Sequence, residues 1–331
     1  MNLFGYDLKT IPKDWRTAYI PKKSGGKRML RIPNDQLKEA QKALLQYFYQ
    51  LRRDRKFRVS AAAHGFLPHK SCMTAIVQHD KKSEIFLVCD IEGFFDHITA
   101  DRVQMHFLDA EMDPDWAATV TDVCQCDGVL PQGSPTSPFL TNVVMVDADC
   151  QIMAYAKKHG FYYTRYADDL TFSMKNPPKE VLDKLRKSKG KSKNPYLWFL
   201  YGVEKILKET LNLNLNHKKD HIIYRGEKVK PHILGVCIRQ DGNGYNATPK
   251  YRRTTRARIC NLYNKVVKDQ NGKPEYDDFK EWASVKGAVR YMDGVRAYSE
   301  PTYDGNDPKI QPKYWCKLEA LLDGAAVPSI A

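Results

Sequence analysis

Residues 163–173, YTRYADDLTFS, place two adjacent aspartates between two short apolar-rich runs. The runs 161–166 and 170–174 predict two strands, and the tight join between them predicts a hairpin. Asp168 and Asp169 then lie at a turn, where two like charges repel each other unless a cation lies between them. Because a lone pair of aspartates is more often an ordinary polar turn, a cation site here depends on what the rest of the chain supplies.

A third aspartate ends an apolar run upstream of this stretch. Residues 85–89 form a run of five that is typical of a strand covered on both faces, and Asp90 follows it. The order strand, helix, hairpin, helix, strand predicts an antiparallel sheet with helices on one face, which is a ferredoxin-like α+β core. In that core the strand ends bring Asp90 to the turn of Asp168 and Asp169. Three carboxylates there suit Mg²⁺, and two such ions about 4 Å apart can activate a 3′-hydroxyl and stabilise a leaving pyrophosphate.

Periodicity predicts the elements around this core. Two short strands flank a Gly-Gly turn in 19–33, and a helix capped by Asn34 or Asp35 follows, with its apolar residues at helical spacing: Leu37, Ala40, Leu44, Phe48 and Leu51. Further helices are predicted over 99–123, from the loop 130–139 to near residue 160, and over about 196–212. Strands at 221–224 and 232–238 are predicted to pair with each other, and the remainder is predicted to be helical and basic.

The net charge of +14 indicates a polyanionic partner, and nucleic acid is the usual one. The stretch 245–268 carries seven lysines and arginines and no acid, and it predicts a helix with a basic outer face. The stretch 184–193, KLRKSKGKSK, is predicted to be an exposed loop. The eight cysteines lack metal-like spacing and are predicted to be free thiols in a reducing cytoplasm. The absence of an apolar signal core or a membrane-length apolar run predicts a protein that is neither exported nor membrane-bound.

Several residues outside the aspartates suit a nucleotide. Phe95, five residues beyond Asp90, can exclude a ribose by pressing on the 2′ position. Gln132 lies in a Pro/Gly/Ser loop at a helix start, where it can face a base pair or phosphates. Lys219 can protonate the leaving pyrophosphate. The N-terminal hairpin carries four basic residues that can grip a triphosphate: Lys22, Lys23, Arg28 and Arg31.

Seven segments in order resemble the sequence blocks of a reverse transcriptase: IPKKSGGKRMLRIP, AAHGFLPHKS, LVCDIEGFFDHI, LPQGSPTSPFLTN, RYADDLTFS, LNLNHKKDHI and HILGV. One block is weak evidence, but seven in order are very specific. The resemblance implies a right-hand polymerase with fingers at 1–85, palm at 86–240 and a helical, basic, RNA-binding thumb at 241–331. The palm carries a Lys-rich insertion at about 184–195.

The same resemblance implies roles for individual residues. It implies Asp90, Asp168 and Asp169 as ligands of two Mg²⁺ ions, for which Mn²⁺ can substitute, and Phe95 as the gate that selects deoxyribose. It also implies positions for five further residues: Gln132 and Gly133 at the pair of template and dNTP, Lys219 behind the phosphates, and Leu234 with Gly235 as the primer grip.

Within the family, the chain resembles retron reverse transcriptases. These enzymes copy part of a structured RNA into short single-stranded DNA, primed from a 2′-hydroxyl of a guanosine in that RNA, and they act in phage defence with a separate effector. The segment 284–295, SVKGAVRYMDGV, resembles the part that holds the RNA. It supplies two candidate RNA contacts, the lysine after Val285 and the arginine near its end, and the other candidates lie elsewhere: Lys286, Arg290, His79, Arg252, Arg253 and Arg256.

Two alternatives stay open at this point. Retron enzymes often carry Val-Thr-Gly late in the palm, whereas this chain has Ile233-Leu234-Gly235, closer to other defence-associated and group II intron-like enzymes. Such an enzyme would make repetitive, untemplated or protein-primed DNA. The other alternative is a binding module that cages an RNA or restrains an effector. The intact Asp90, Asp168 and Asp169 favour an enzyme over a binding module.

Overall fold

The computed structural model describes residues 2–3, 5–22, 25–188, 194–225, 232–238, 244–269, 276–297 and 318–323. The chain divides into two compact units, Met1–Tyr224 and Arg225–Ala331. The predicted palm extends past this division to residue 240, and the assignment of fingers, palm and thumb stays a prediction.

The described part of the first unit contains eight strands and eight helices. Its strands are β1 (Asn2–Leu3), β2 (Tyr6–Asp7), β3 (Trp15–Pro21), β4 (Lys27–Pro33), β5 (Ile85–Asp90), β6 (Tyr162–Tyr166), β7 (Asp169–Met174) and β8 (His221–Tyr224). Its helices are α1 (Asp35–Arg53), α2 (Cys72–Ile76), α3 (Ala100–Asp109), α4 (Pro114–Cys124), α5 (Ser137–Val144), α6 (Val146–Lys158), α7 (Lys179–Ser188) and α8 (Leu197–Leu211).

The centre of the first unit is a four-stranded antiparallel sheet in the order β6-β7-β5-β8. In chain order these strands and the helices between them follow the pattern strand, helix, strand, strand, helix, strand. This pattern with this strand order is the ferredoxin-like arrangement, so the predicted α+β core is confirmed.

The two faces of this sheet are covered differently. Helices α6 and α8 pack together on the face that carries Leu87 and Phe172, and the rings of Phe172 and Phe199 lie 5.1 Å apart there. The opposite face carries Phe86, which contacts the ring of His79 at a centroid distance of 6.1 Å. All six residues of β5 are buried, as its apolar run predicted.

Helix α1 agrees closely with its prediction. The side chain of Asn34 accepts a hydrogen bond from the backbone N–H of Leu37, which is the expected cap. The apolar stripe identified from the spacing is buried: Leu37, Ala40, Leu44, Phe48 and Leu51. The stripe contributes rings to an aromatic cluster of the core, in which Phe48 stacks on Phe139 at 5.8 Å.

Three predictions about local structure were wrong. The single helix predicted over 99–123 is two helices, α3 and α4, because Glu111 takes a left-handed conformation and Asp113 caps a new helix at Pro114. The predicted loop at 184–193 begins as part of α7, whose Leu182 and Leu185 are buried at helical spacing. Residues 189–193 lie outside the described residues. Strand β8 pairs with β5, and not with the strand at 232–238.

The second unit has a three-stranded antiparallel sheet and two long helices among its described residues. The sheet order is β11 (Tyr245–Ala247), β10 (Val236–Ile238) and β9 (His232–Ile233). Helices α9 (Pro249–Tyr263) and α10 (Tyr276–Ala297) bury an apolar cluster that includes Ile259, Leu262, Trp282 and Val289. The basic stretch therefore forms a helix with a buried apolar side, as predicted.

Two further findings concern the described residues alone. No helix among them combines the length and the apolar character that crossing a membrane requires. The seven cysteines among them are free, and Cys124 and Cys126 of the close pair are buried in the core.

Candidate active site

Asp90 and Asp169 lie opposite each other at the ends of neighbouring strands. The register of β5 and β7 pairs them directly, and the backbone N–H of Ile91 donates to the carbonyl oxygen of Asp168 at 3.0 Å. Because side chains alternate along a strand, Asp90 and Asp169 project from the same face as Phe86, away from α6 and α8. The three predicted carboxylates are thus brought to one edge of the sheet, although 78 positions separate Asp90 from Asp168.

The turn between β6 and β7 has a strained backbone. Tyr166 pairs with Asp169, so Ala167 and Asp168 form a two-residue turn. Ala167 has a φ of 58°, a left-handed conformation that a residue with a Cβ keeps only when its surroundings fix it. A Cβ on Gly65 would lie 2.7 Å from the amide nitrogen of Ala167, so the loop behind the turn needs glycine at this point.

The electrostatics of the turn favour binding of a cation. Burial, followed by repulsion from Asp90, raises the pKa of Asp168. Burial, followed by repulsion from Asp168 and Asp90, raises the pKa of Asp169 from 3.8 to about 6. Both carboxylates therefore hold a proton more tightly than a free carboxyl does, and a divalent cation would relieve the same repulsion.

Lys219 supplies a positive charge next to these acids. Its Nζ donates to both carboxylate oxygens of Asp90, at 2.8 and 2.9 Å, while its side chain stays 55% exposed. The backbone N–H of Asn216 donates to the carbonyl oxygen of Asp90 at 2.8 Å, which fixes the segment carrying Lys219 to the end of β5. The prediction that Lys219 belongs to the site agrees with this geometry, and its catalytic role stays a prediction.

The donor set fits a hard divalent cation. Among the described residues, no group of three or more His, Cys, Asp or Glu side chains forms a ready-made metal cluster. Asp90, Asp168 and Asp169 nonetheless supply oxygens at one edge of the sheet, which is the ligand chemistry that Mg²⁺ and Mn²⁺ accept. These three residues would hold such ions, which would supply charge to activate a hydroxyl and to stabilise a leaving phosphate.

Replacing Asp169 with asparagine should stabilise the metal-free protein at neutral pH. The folded protein binds the proton of Asp169 more tightly than the unfolded chain does, so stability falls as the pH rises from 3.8 to about 6 and stays lower above it. Removing the charge should recover on the order of 1–2 kcal/mol, allowing for partial exposure. Thermal unfolding in EDTA at neutral pH measures this as a higher Tm for Asp169→Asn.

The sign of the effect provides the control. Below the ordinary carboxyl pKa, wild type and Asp169→Asn should unfold at the same temperature, since the carboxyl is then protonated in both states. Added Mg²⁺ should raise the Tm of wild type more than that of the variant. A Tm for Asp169→Asn below that of wild type at neutral pH would contradict the electrostatic account.

Phe95 lies in an aromatic group near the turn. It is half-buried at the start of a short 3₁₀ helix, Phe95–His97, and its ring lies 6.3 Å from that of Phe66. The Phe66 ring in turn lies 6.5 Å from that of Tyr166. The sequence reasoning missed Phe66, because the segment 61–66 was predicted only as a loop. The glycine before it was the available signal, since Asn142 donates a hydrogen bond to the Gly65 carbonyl at 2.9 Å.

The loop of Gln132 is fixed to the N-terminal hairpin. The backbone N–H of Arg31 donates to the carbonyl oxygen of Gln132 at 2.8 Å, and Gly133 has a φ of 121°. A Cβ on Gly133 would lie 2.7 Å from the carbonyl oxygen of Arg31, so this close approach requires glycine. The structure thus explains Gly133 by backbone packing, while a contact of Gln132 with a nucleotide stays a prediction.

The basic residues of the hairpin differ in what they contact. Arg31 pairs with Asp127 at 2.7 Å, which corrects its prediction as a free phosphate ligand. Arg28 is exposed, and its positive charge acts to lower the pKa of Asp168. Lys22 is exposed beside the Gly-Gly turn, and Lys23 lies outside the described residues.

His79 does not lie where an RNA contact requires it. The ring is 2% exposed, with Nδ1 2.7 Å from the Ser173 hydroxyl and Nε2 2.8 Å from the Thr164 hydroxyl. Burial lowers the pKa of this histidine to about 3, so the ring is neutral. The prediction of an RNA contact is corrected because both ring nitrogens are occupied within the sheet.

The other candidates belong to the second unit. Leu234 and Gly235, the predicted primer grip, form a turn between β9 and β10 in which both have positive φ, 50° and 79°. The Tyr291 hydroxyl donates to the Gly235 carbonyl at 3.3 Å. The predicted primer contact of this turn stays a prediction.

The candidate RNA-binding residues lie on α9 and α10. Arg253 and Arg290 are exposed, and Arg252 and Arg256 are half-buried with Nε atoms that find no hydrogen-bond partner among the described residues. Lys286 pairs with Asp323 at 2.6 Å, so its charge is partly neutralised within the unit.

Comparison with known proteins identifies the family. A family model described as reverse transcriptase (RNA-dependent DNA polymerase) matches residues 20–238. The chain is 32% identical over 251 residues to the retron Ec86 reverse transcriptase of Escherichia coli, covering 75% of this chain and 70% of that protein. The chain belongs to the reverse transcriptase family. Membership of this family confirms the resemblance seen in the seven segments and the right-hand polymerase class of fold.

Other curated relatives of this reverse transcriptase are also retron enzymes. It is 27% identical over 273 residues to the retron Mx162 reverse transcriptase of Myxococcus xanthus, covering 77% of this chain and 52% of that protein. It is 34% identical over 175 residues to the retron Mx65 reverse transcriptase of the same organism, covering 47% of this chain and 40% of that protein. The chain therefore spans about half the length of these two relatives.

One solved structure with a similar backbone is the apo telomerase from Candida tropicalis, with a TM-score of 0.49 and 12% identity. The alignment covers 93% of this reverse transcriptase and 62% of that chain. A similarity at this level does not indicate a shared function.

Proposed function

We propose that this protein is a retron-type RNA-directed DNA polymerase that copies part of a cognate structured noncoding RNA into single-stranded DNA. The observation that carries the proposal is the direct pairing of Asp90 with Asp169 at the ends of β5 and β7, next to Asp168 in a strained turn. The family match and the similarity to retron enzymes support the polymerase activity and its RNA template.

The proposed reaction is attack of a primer 3′-hydroxyl on the α-phosphate of a dNTP, with pyrophosphate as the leaving group. Asp90, Asp168 and Asp169 hold the two metal ions that this chemistry uses. Lys219, released from Asp90 when cations bind there, can donate a proton to the departing pyrophosphate. Phe95 presses on the sugar and excludes a 2′-hydroxyl, and Arg28 with Lys22 orients the triphosphate.

Lys219→Ala should lower the rate of nucleotide addition by about 10²-fold, the lower range for a general acid. Lys218→Ala is the matched control, because it removes an equally exposed neighbouring lysine that forms no printed contact with the acids and should leave the rate within about twofold. Single-nucleotide addition on a primed RNA template measures both rates. Equal effects of the two substitutions would remove Lys219 from the reaction.

The thumb contacts of the proposal predict a change in salt dependence. Replacing Arg252, Arg253 and Arg256 with glutamine should weaken RNA binding and reduce the slope of log affinity against log salt by about 2 for three lost phosphate contacts. Binding of labelled RNA at several salt concentrations measures the slope.

Three exposed lysines on the helices behind the sheet provide the control for charge alone: Lys157, Lys158 and Lys208. Their replacement by glutamine removes the same net charge, and the slope should stay that of wild type. If both triple variants lower the slope equally, the effect reflects overall charge, and the thumb contacts are not supported.

The decisive experiment concerns nucleic acid that copurifies with the protein. The protein is expressed with its native flanking DNA, and the extract is treated separately with RNase, DNase and a 2′–5′ debranching enzyme. A discrete DNA band that shifts on debranching supports retron-type synthesis. An unbranched or repetitive DNA would favour another defence-associated reverse transcriptase, and RNA without DNA would favour a binding module.

The retron resemblance extends the proposal to antiphage defence in the cytoplasm with a separate effector protein. The test is phage plating on cells that carry the whole locus, with wild type or with Asp168→Asn and Asp169→Asn combined. Loss of protection in the double variant supports a role for DNA synthesis. Full protection by the double variant would favour caging of an RNA or an effector without catalysis.

A further inference from the structure

Arg165, three residues before the first aspartate of the turn, is fully buried and bound to a carboxylate. Its Nε donates to Asp149 Oδ1 at 3.0 Å and its Nη2 donates to Oδ2 at 2.7 Å. The hydroxyl of Tyr163 donates to the same Oδ1 at 2.9 Å. Both side chains of the ion pair have no exposed surface. The pair therefore lies between β6 and α6, on the face of the sheet opposite Asp90 and Asp169.

The guanidinium group has a further contact that reaches the turn. Its Nη1 donates to the carbonyl oxygen of Ala167 at 3.0 Å. The backbone of Arg165 is held as well, since its N–H donates to the Ala62 carbonyl at 2.7 Å and its carbonyl accepts from the His64 N–H at 2.8 Å. One residue thus fixes the left-handed turn through its side chain and the preceding strand through its backbone.

The same guanidinium group lies near the aromatic residues after β5. Its central carbon is 6.0 Å from the centroid of the buried Phe94 ring, within range of a cation–π contact. The ring of Phe94 lies 5.7 Å from that of Phe95. Arg165 therefore contacts the turn of two aspartates directly and the proposed sugar gate through one intervening ring.

Stability is a poor explanation for such an ion pair. Burying two charges costs much of what their attraction returns, and apolar replacements of similar size are often as stable. A left-handed alanine, by contrast, persists only where several contacts fix it. The bond from Arg165 to the Ala167 carbonyl is such a contact, and it lies one residue from Asp168.

We propose that Arg165 is a positioning residue, which holds the Ala167 turn so that Asp168 and Asp169 face Asp90, with Asp149 and Tyr163 aiming its guanidinium group. The planar group donates to Asp149 and to Ala167 at the same time, and an ammonium group or an apolar side chain cannot. This inference rests on the proposed polymerase function, but its first test measures metal binding and does not require activity.

The test compares wild type with a variant in which both charges are removed, Asp149→Leu combined with Arg165→Met. Mn²⁺ is titrated into each full-length protein, and the free ion is followed by its EPR signal. We expect a cooperative unfolding transition near that of wild type, an Mn²⁺ affinity weakened at least about 10-fold, and a kcat for DNA synthesis lowered about 100-fold with the dNTP KM within about threefold. Wild-type affinity and kcat in the folded double variant would overturn the proposal.

Arg165→Lys keeps the test valid if the double variant does not fold. Lysine preserves the charge beside Asp149 but loses the second arm to Ala167, so Mn²⁺ affinity should still fall several-fold. Wild-type Mn²⁺ affinity in folded Arg165→Lys would overturn the proposal. The control for destabilisation is Ile152→Ala, a cavity in α6 that lowers Tm and should leave Mn²⁺ affinity unchanged.

The two hypotheses fail in different ways. If wild type binds Mn²⁺ but extends no primer on an RNA template, the proposed polymerase function fails, while the Mn²⁺ titrations still test the positioning role. If wild type is active and Ile152→Ala weakens Mn²⁺ binding as much as the double variant does, the effect is general loosening of the core and the positioning role fails.

Discussion

Asp169→Asn and Asp168→Asn should each reduce RNA-directed DNA synthesis by on the order of 10³-fold, which corresponds to the several kcal/mol that a metal ion contributes to stabilising a transition state. Each substitution removes one carboxylate oxygen ligand from a site that has few. Both variants should stay folded, because these carboxylates have raised pKa values and are a source of repulsion in the metal-free protein. Single-turnover primer extension measures the loss, and thermal unfolding confirms the fold.

The matched control for this prediction is Asp109→Asn. Asp109 is exposed at the last residue of α3, where a negative charge does not favour the helix, so its removal should change activity less than about twofold. If Asp169→Asn kept more than a tenth of wild-type activity while the metal dependence was unchanged, the assignment of Asp169 as a metal ligand would be wrong.

Phe95→Ala should lower the preference for dNTPs over ribonucleotides by on the order of 10²-fold, because the change opens space for a 2′-hydroxyl that the ring fills. The ring is half-buried and lies between Phe94 and Phe66, so neighbouring side chains hold it in place. The measurement is the ratio of kcat/KM for a dNTP and the matching ribonucleotide on the same primed RNA.

Phe95→Tyr separates the gate from general damage. Tyrosine keeps the ring and should keep most of the preference for dNTPs, while Phe95→Ala loses it and still incorporates dNTPs. An unchanged preference in Phe95→Ala would reject the assignment of Phe95 as the gate. A loss of dNTP incorporation without any gain for ribonucleotides would indicate a packing role for the ring.

Local sequence signals predicted the core of the site well. The run before Asp90 and the runs on either side of Asp168 and Asp169 are continuous apolar stretches, and such stretches leave little choice other than buried strands. Once both strands are placed in an antiparallel sheet, their ends meet, and the register pairs Asp90 with Asp169. The stripe of α1 was predicted for a similar reason, since it depends on spacing within a single element.

The errors arose where a residue's environment comes from distant parts of the chain. His79 is polar and precedes a charged segment, but its ring is held by Thr164 and Ser173, more than 80 positions away. Strand β8 pairs with β5, across more than 130 positions, and not with the nearest strand downstream. Arg31 carries no local sign that Asp127 neutralises it.

The sequence by itself determined the family, the three acidic residues, the ferredoxin-like order of elements and the basic character of the second unit. Apolar periodicity and turn chemistry are local properties, so they can be read from neighbouring residues. Only the tertiary structure decided what supports the acids: the ion pair of Arg165 with Asp149, the hydrogen bond to the Ala167 carbonyl, and the close approach of Gly65. These contacts join separate elements, and buried charge is stable only where such partners converge, which no local pattern specifies.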